Sequence, residues 1–134
     1  MSYDTRFPKM RVARSCRDFE AIKRFYCDGL GFSLLGSFEG HNGFDGLFIG
    51  HPNAPYHLEF TREQGITAPK APDEEGLLIF YLPDTAEWQK RVDMMRDAGY
   101  EPVQSNNTYW DVDGITFEDP DGYRVVLQNR AWSN

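Results

Sequence analysis

The strongest constraint on the fold is an order of landmarks that occurs twice along this 134-residue chain. Asp18 and Asp84 each stand directly before a helical pattern, and each pattern ends at a glycine. Further on, Tyr56–Phe60 matches Tyr123–Leu127, and a His-Pro-Asn or Asp-Pro-Asp turn precedes each stretch. Matching landmarks stay 66 to 68 residues apart, so the sequence predicts a duplicated structural unit.

Both units have the apolar periodicity of one strand, one helix and three more strands. The first unit spans residues 10–61, with strands predicted at 10–16, 33–38, 46–49 and 57–61 and a helix from Phe19 to Leu30. The second unit spans residues 76–129, with strands predicted at 77–82, 101–105, 114–118 and 123–128 and a helix over 85–98. Residues 62–75, with two prolines and no apolar period, are predicted to form a surface linker.

Neither unit can bury both a sheet face and a helix by itself, so the two are expected to pack together. The sequence therefore predicts an α+β fold. In this fold, two fused βαβββ modules form paired curved mixed sheets around a central cavity. Helices cover one face of each sheet, and the opposite faces line the cavity.

The charge balance argues against two classes of partner. With 14 basic and 21 acidic residues the net charge is −7, which disfavours a nucleic-acid groove and an anionic membrane surface. No apolar run reaches membrane-spanning length, and the N-terminal segment has no apolar signal core. We expect a cytoplasmic protein in which Cys16 and Cys27 stay reduced and Cys27 is buried in the first helix.

Strand alternation assigns polar side chains to the cavity face. In the last strand of the first unit, His57 and Glu59 lie opposite to an apolar face. Arg11 lies on the matching face of the first strand, and Arg124 and Gln128 lie on the matching face of the last strand. The cavity is therefore expected to carry several polar anchors.

Two runs of sequence resemble a known superfamily. RVARSCRDFEAIKRFYCDGLGF is similar to the opening strand, helix and turn of the glyoxalase/bleomycin-resistance (vicinal oxygen chelate) superfamily, and EDPDGYRVVLQN is similar to its closing motif. The resemblance covers about residues 10–129 and implies a single domain over residues 1–134. It is strongest to the uncharacterised YycE-like branch, which has the same HNG-aromatic-DG and YHLEFT segments.

The resemblance also implies where a metal would bind. In metal-using members, four strands each donate one ligand, typically two His or Gln and two Glu. These positions fall on Arg11, Glu59, Leu77 and Val126, of which only Glu59 is a ligand type. No divalent metal or other cofactor is therefore expected. Arg11 places a cation where the metal would be, and we expect it to pair with Glu59 across the cavity.

Three side chains are candidates for acid–base or metal chemistry. Glu59 is a candidate general base, and His57, two residues away on the same face, is a candidate acid–base group. His41, in the loop GHNGFDG, could join them in a rebuilt site of two histidines and one carboxylate. The plain alternatives are an ion-paired carboxylate, a hydrogen-bonded histidine and a polar loop residue.

The loop before the seventh predicted strand contains Tyr109 and Trp110. These aromatics either form a lid or stacking wall for a planar ligand, or pack against the other half or a second subunit. Asp119 and Asp121 in the closing motif, and His51 in the corresponding turn of the first unit, are interpreted as turn residues.

The residues and the resemblance together predict a metal-independent small-molecule-binding protein, in the style of the superfamily's antibiotic-sequestering members, with an antibiotic or a metabolite as ligand. The predicted ligand-binding residues are Arg11, His41, His57, Glu59, Tyr81, Trp110, Arg124 and Gln128. The alternative is a glyoxalase-like lyase or isomerase that uses His57 and Glu59, with or without a divalent metal. A third possibility is an interaction module with a collapsed cavity. A homodimer is expected by resemblance only.

Overall fold

The computed structural model describes residues 6–133. The predicted domain bounds 1–134 and the character of the N-terminal segment therefore lie in part outside the described residues. The chain divides into two units. The first comprises the chain up to Cys27 and Phe32–Pro69, and the second comprises Asp28–Gly31 and the chain from Lys70 onward. Each unit holds one β-sheet.

The first unit contains a four-stranded mixed sheet in the order β1-β4-β3-β2. Strand β1 runs parallel to β4, and the other neighbours are antiparallel. The elements in chain order are β1 (Met10–Ser15), α1 (Phe19–Lys23), a π-helical segment (Arg24–Gly29), β2 (Ser33–His41), β3 (Phe44–Gly50) and β4 (Tyr56–Glu63). All four strands predicted for this unit are present.

The first helix begins where the sequence predicts it. Oδ1 of Asp18 accepts hydrogen bonds from the backbone N–H groups of Glu20 and Ala21, at 2.9 and 3.3 Å. These donors have no partner within the helix, so the aspartate caps it. The prediction of one α-helix as far as Leu30 is wrong in part, because α-helical bonding covers only Phe19–Lys23 and the following turn is π-helical.

The core of the first unit lies on the side of the sheet that faces this helix. Phe25 and Tyr26 are consecutive and fully buried, with ring centroids 4.8 Å apart. The wide turn that contains them is consistent with burying both rings. Tyr26 also packs against Phe60 of β4, at a centroid distance of 4.8 Å. The predicted apolar faces of the helix and of β4 are thus confirmed; the other buried members are Ile22, Leu47, Ile49 and Leu58.

The second unit contains a three-stranded sheet in the order β5-β7-β6, with β5 parallel to β7. Its elements are β5 (Leu77–Tyr81), α2 (Thr85–Asp97), a 3₁₀ turn (Thr108–Asp111), β6 (Gly114–Glu118) and β7 (Arg124–Gln128). Asp84 caps α2 as predicted, with Oδ1 accepting from the N–H groups of Ala86 and Glu87 at 2.9 and 3.4 Å. The buried residues of α2 and of the apolar face of β6 and β7 are Val92, Met95, Phe117, Val125 and Leu127.

One predicted strand of the second unit is nearly absent. Residues 101–105 form a single β-bridge, between Val103 and Thr116, instead of a strand. Pro102 has no N–H to give to a ladder. The N–H of Ser105 is turned to the carboxylate of Asp111, at 3.2 and 3.3 Å from its two oxygens. Pro102 and Ser105 therefore supply no donor for strand pairing.

The predicted linker over residues 62–75 is also corrected. Arg62 and Glu63 belong to β4, because they pair with the first residues of β3. Further along, Ala68 is buried and its carbonyl accepts a hydrogen bond from Nε of Arg17 at 2.6 Å. The first part of the segment is therefore attached to the first unit, and the segment is not wholly a surface linker.

The turn before the last strand of each unit uses the same hydrogen-bonding device. Nδ1 of His51 accepts from the N–H of Asn53 at 3.1 Å. Oδ1 of Asp119 accepts from the N–H groups of Asp121 and Tyr123 at 2.8 and 3.0 Å. The interpretation of His51 and Asp119 as turn residues is confirmed.

Two expectations concern the chain as a whole. Among residues 6–133, no helix has the length and apolar character that crossing a membrane would require. Cys16 is buried, whereas Cys27 is only half-buried, so the expectation for Cys27 holds in part. Both cysteines lie in the described part of the chain and form no disulfide there.

Candidate functional site

The sheet of the first unit has one face against its helix and one face with a polar cluster. The parallel register aligns Arg11 with His57 and Ala13 with Glu59. Across the antiparallel pair, Phe48 of β3 lies opposite Glu59. Partnered residues of neighbouring strands point to the same side of a sheet. The sequence therefore assigned Arg11, His57 and Glu59 to the correct common face.

Arg11 is the centre of this cluster. Its Nε donates a hydrogen bond to Nε2 of His57 at 2.8 Å, and its Nη1 lies 3.7 Å from Oε2 of Glu59. The guanidinium carbon lies 4.8 Å from the ring centroid of Phe48, within cation–π range. The side chain of Arg11 is 48% exposed and that of Glu59 is 16% exposed. One cation thus contacts a histidine, a carboxylate and an aromatic ring.

The predicted ion pair between Arg11 and Glu59 is present, but its predicted geometry is wrong. The two residues lie on adjacent strands of one sheet and do not reach each other across a cavity. Because β1 and β4 run in parallel, residues two positions apart in register come within reach of a long arginine side chain. The pair is therefore a cross-strand contact within the first unit.

The hydrogen bond from Arg11 fixes the protonation of His57. Because Nε2 accepts, the neutral ring carries its proton on Nδ1. Burial lowers the pKa of His57, as do the positive charges of Arg11 and Lys9, while Glu59 acts in the opposite direction. The imidazole is therefore mainly neutral at pH 7, with its one lone pair already used. Nδ1 is buried and makes no hydrogen bond to any residue of the described chain.

Aromatic rings continue the polar cluster across β3 and β2. The ring of Phe48 lies 6.3 Å from that of His57 and 5.7 Å from that of Phe38. Gly46 of β3 is paired with Phe38 of β2. It leaves the space that the Phe38 ring fills, since a Cβ at Gly46 would overlap the ring. We call the surface formed by Arg11, Phe38, Phe48, His57 and Glu59 the Arg11 face.

The two phenylalanines of the Arg11 face were missed by the sequence argument. Phe48 could have been found, because a hairpin register that pairs β3 with β4 puts it opposite Glu59. Phe38 could not, because a register shift in β2 changes which side of the sheet its residues face.

His41 does not join the Arg11 face as a third ligand. It is the last residue of β2, exposed, and directly before a two-residue Asn42-Gly43 turn with φ values of 52° and 84°. Its ring contacts that of Phe38 at a centroid distance of 6.3 Å. Within residues 6–133 no group of three or more His, Cys, Asp or Glu side chains is placed to hold a metal. The rebuilt site with His57 and Glu59 is therefore not formed.

The second unit presents a different face on the side away from α2. Tyr81 is aligned with Gln128, and the side chain of Tyr81 is 38% exposed. Gln128 is almost fully buried and lies directly over Gly114, where a Cβ would overlap its Oε1. That oxygen has no hydrogen-bond partner among the described residues. Thr116, also fully buried on this sheet, is hydrogen-bonded to Ser105 at 2.5 Å.

Arg124, a predicted ligand anchor, is held by its own unit. Its side chain is 7% exposed, and Nη2 lies 3.4 Å from a carboxylate oxygen of Glu118 and 3.5 Å from one of Glu74. Nη1 donates to the backbone carbonyl of Gln104 at 3.0 Å. This arrangement is one of structural support, and it leaves only the buried Nε without a hydrogen bond to a described residue.

Trp110 lies in the 3₁₀ turn before β6, where it packs edge-on against Tyr109 at a centroid distance of 4.9 Å. Trp110 is half-buried and Tyr109 is 53% exposed. Asn107 caps the turn by accepting a hydrogen bond from the N–H of Tyr109 at 3.1 Å. The aromatic pair predicted as a lid or as a packing surface is thus a partly exposed pair within a capped 3₁₀ turn.

The four positions that the resemblance assigns to metal ligands do not fit a divalent ion. Leu77 and Val126 have no donor atom, and Arg11 is a cation. Only Glu59 offers oxygen ligands, and these face the Arg11 guanidinium. The nearby His57 has its lone pair committed to Arg11. The donor set therefore disagrees with the metal chemistry of the superfamily.

Comparisons with known proteins identify the family. The chain matches the YycE-like N-terminal domain over residues 10–61 and the YycE-like C-terminal domain over residues 75–129. The uncharacterised protein YycE of Bacillus subtilis (strain 168) is 41% identical over 121 residues, which is 90% of this chain and 87% of that protein. A crystal structure of a YycE protein of unknown function from Bacillus subtilis aligns with a TM-score of 0.86, covering 96% of this chain and 93% of that one.

More distant structures share the fold. Trypanothione-dependent glyoxalase I of Leishmania major is 21% identical and aligns with a TM-score of 0.70, covering 91% of this chain and 86% of that one. TnmS3, an antibiotic binding protein from Streptomyces sp. CB03234, is 20% identical with a TM-score of 0.62, covering 96% and 95%. The predicted α+β fold with two mixed sheets is confirmed. Two matched domains and a relative of nearly full length place the chain in the YycE-like family.

Proposed function

We propose that this protein binds a small organic molecule, an antibiotic or a metabolite, at the Arg11 face without the help of a metal ion. One observation carries the proposal. The guanidinium of Arg11 contacts both His57 and Glu59, the two side chains of this face that could otherwise serve as metal ligands or as acid–base groups. A ligand would therefore meet a prearranged set of hydrogen-bonding groups and rings.

The lining of the Arg11 face suits binding more than chemistry. A binding site needs shape, apolar area and a few oriented polar groups. Phe38 and Phe48 supply the apolar area, and Arg11 supplies donors on a side chain that is 48% exposed. The antibiotic-binding neighbour TnmS3 has the same fold, and binding of such a small molecule is the property that we extend from it to this chain.

The lyase or isomerase alternative is less well supported. It would require His57 or Glu59 to remove a proton from a substrate. His57 has its lone pair on Arg11, and Glu59 is ion-paired with the same group. Either side chain would have to be released from Arg11 before it could act as a base, which adds a step that a dedicated enzyme would avoid.

Metal analysis combined with a thermal-shift screen tests the proposal. Purified protein should contain no stoichiometric zinc, nickel, manganese or iron. A ligand at 100 times its dissociation constant should raise the unfolding free energy by about 2.7 kcal/mol, and the increase should persist in a chelator. Arg11→Gln should abolish the increase, whereas Arg130→Gln, a change of an exposed arginine in the second unit, should not.

Two results would contradict the proposal. The first is one equivalent of bound metal per chain in the purified protein. The second is a ligand-induced shift that disappears in chelator and returns with an added metal ion. If no ligand in a set of varied charge shifts the thermal unfolding of the protein, an interaction module is favoured instead.

A further inference from the structure

We infer that the ligand of the Arg11 face is a small monoanion with a planar unsaturated body. Its carboxylate, or an equivalent acidic group, binds the outer edge of the Arg11 guanidinium, and its body packs against Phe38 and Phe48. This inference rests on the proposed function and specifies the chemical class of the ligand.

The first support is the unused hydrogen-bonding capacity of Arg11. A guanidinium has five N–H donors in a planar fork. Within the described chain, the only hydrogen bond that Arg11 donates is the one from Nε to His57. Nη1 lies 3.7 Å from Glu59, which is an ion-pair distance longer than a hydrogen bond. The donors on the two η nitrogens are therefore available, and a fork of this kind matches a carboxylate in a bidentate manner.

The second support is the local charge. Arg11 and Lys9 act together on His57, and Glu59 opposes them. Since His57 is mainly neutral at pH 7, the half-exposed guanidinium of Arg11 presents positive charge at its outer edge. A monoanion would balance this charge, whereas a cation would be repelled. The whole chain has a net charge of −7, so the exposed cationic edge of Arg11 contrasts with the overall charge and favours an anion at this face.

The third support is the position of the rings. The guanidinium carbon of Arg11 lies 4.8 Å from the ring centroid of Phe48. The ring centroid of Phe38 lies 5.7 Å from that of Phe48. Both phenylalanines are half-buried, so part of each ring remains accessible. A ligand whose acid group reaches Arg11 would lie with its body beside these rings. Offset or edge-on contact between aromatic rings favours a planar unsaturated body.

His57 has a positioning role in this scheme. By accepting from Nε of Arg11 at 2.8 Å, it holds the inner edge of the guanidinium and leaves the η nitrogens of the outer edge for the ligand. It does not need to touch the ligand. Replacing His57 with Gln retains an acceptor and should preserve anion binding, whereas replacing it with Leu should weaken binding without removing any charge.

Matched probes that differ only in charge test the inference. 2-Naphthoate and 2-naphthamide have nearly the same shape, and phenylphosphonate and cinnamate extend the set of anions. Binding to chelator-treated protein is measured by calorimetry and by NMR shift changes. We expect a dissociation constant of about 1 mM or tighter for at least one anion, the range that fragments of this size reach. The amide should bind at least about tenfold more weakly, a difference of about 1.4 kcal/mol.

Variants locate the site. Arg11→Gln should lower the affinity for the anion at least about tenfold, and Arg11→Lys should lower it less because a point charge remains without the fork. Phe48→Leu should weaken naphthoate but leave acetate unchanged. Arg130→Gln is the matched control and should bind as the parent does. Melting curves for each variant show whether it is folded. If Arg11→Gln does not fold, Arg11→Lys still tests the role of the guanidinium fork.

The outcomes separate the inference from the proposed function. Equal binding of naphthoate and naphthamide, or loss of binding in Arg130→Gln but not in Arg11→Gln, overturns the inference. Failure of every anion to bind, while an uncharged or cationic ligand binds without metal, overturns the inference and leaves the proposed function intact. Binding of any ligand only after a metal ion is added overturns the proposed function itself.

Discussion

The two sheets of this protein share a scaffold and differ on the face turned away from the helix. In the first unit that face carries Arg11, His57 and Glu59 in mutual contact, and Arg11 is about half exposed. In the second unit the corresponding ligand positions are Leu77 and Val126, and Val126 is fully buried. The repeated scaffold thus carries a cluster of charged and polar side chains in one copy and a mostly uncharged, more deeply buried set of residues in the other.

The comparison shows which parts of the unit are independent of the site. Both helices are capped by an aspartate, and both final strands follow a turn closed by the side chain of its first residue. Each unit also pairs its first and last strands in parallel. These features set the backbone, whereas the residues on the free face set the chemistry. Arg11 and Arg124 illustrate the difference. Arg124 is buried and ion-paired with two carboxylates, whereas the side chain of Arg11 is about half exposed.

The helix-facing cores should be equivalent in the two units. Phe60 in β4 and Phe117 in β6 are both nearly or fully buried. Replacing either with alanine should lower the unfolding free energy by about 3–5 kcal/mol, because apolar area is lost and a cavity remains. Chemical denaturation of both variants measures this. A loss below about 1 kcal/mol in one of them would show that its sheet does not depend on a packed core.

The Arg11–Glu59 pair should be specific to the first unit. Arg11→Ala should cost about 1–2 kcal/mol, because Glu59 loses its partner and Phe48 loses a packed guanidinium. The double change Arg11→Ala, Glu59→Gln should recover most of that loss. Denaturation of the two single variants and the double variant gives the coupling energy. If the two single losses simply add, the pair does not contribute to stability.

The two helix caps should be of similar strength despite the different free faces. Asp18→Ala and Asp84→Ala each remove an acceptor for two backbone N–H groups. Each change should cost about 1 kcal/mol. Thermal and denaturant unfolding measure the loss, and Asp18→Asn and Asp84→Asn, which retain a capping oxygen, are the controls. An asparagine variant as unstable as the alanine variant would point to a role other than capping.

His57 should give the first unit a small pH dependence that the second unit lacks. The pKa of His57 in the folded protein lies below its ordinary value of 6.5. Between the pKa of His57 in the folded protein and its pKa in the unfolded chain, the unfolded chain binds a proton that the folded chain does not. This contribution to stability is therefore complete above about pH 6.5 and decreases as the pH falls through the interval, until the folded imidazole is also protonated.

Comparison of variants isolates this effect. His57→Gln should flatten the dependence of unfolding free energy on pH below 6.5. The parent protein, measured over the same pH range, is the reference. An NMR titration gives the pKa of His57 directly. A value at or above 6.5 would mean that Glu59 outweighs burial and the neighbouring cations.

Much of the scaffold could be predicted from the sequence because it depends on local rules. A capping aspartate, an apolar helix stripe and alternation along β4 are each read within one turn or one strand. The prediction failed where a local signal competed with another partner. Pro102 and the bond from Ser105 to Asp111 remove a strand whose residues are otherwise β-prone. The two buried rings of Phe25 and Tyr26 accompany a turn that is not α-helical.

The candidate site could be predicted only in part, because it depends on contacts between strands. Strand alternation placed Arg11, His57 and Glu59 on one face. A partner for Glu59 was expected because a buried carboxylate without a counter-charge is unfavourable. Whether the partner of Glu59 lies on the neighbouring strand or on the opposite side of a cavity depends on the parallel register of β1 and β4. The hydrogen bond from Arg11 to His57, and the phenylalanine under the guanidinium, follow from that register and have no local signal.

The central proposal is that Arg11 commits the lone pair of His57 and that this face therefore binds its ligand without a metal. Long-range nitrogen–proton NMR of the imidazole tests it directly, because the two ring nitrogens have distinct shifts when protonated, unprotonated or metal-bound. We predict a proton on Nδ1, an unprotonated Nε2 and no change in either nitrogen when zinc is added. A proton on Nε2, or a metal-bound shift of Nε2 with one equivalent of zinc, would contradict the account.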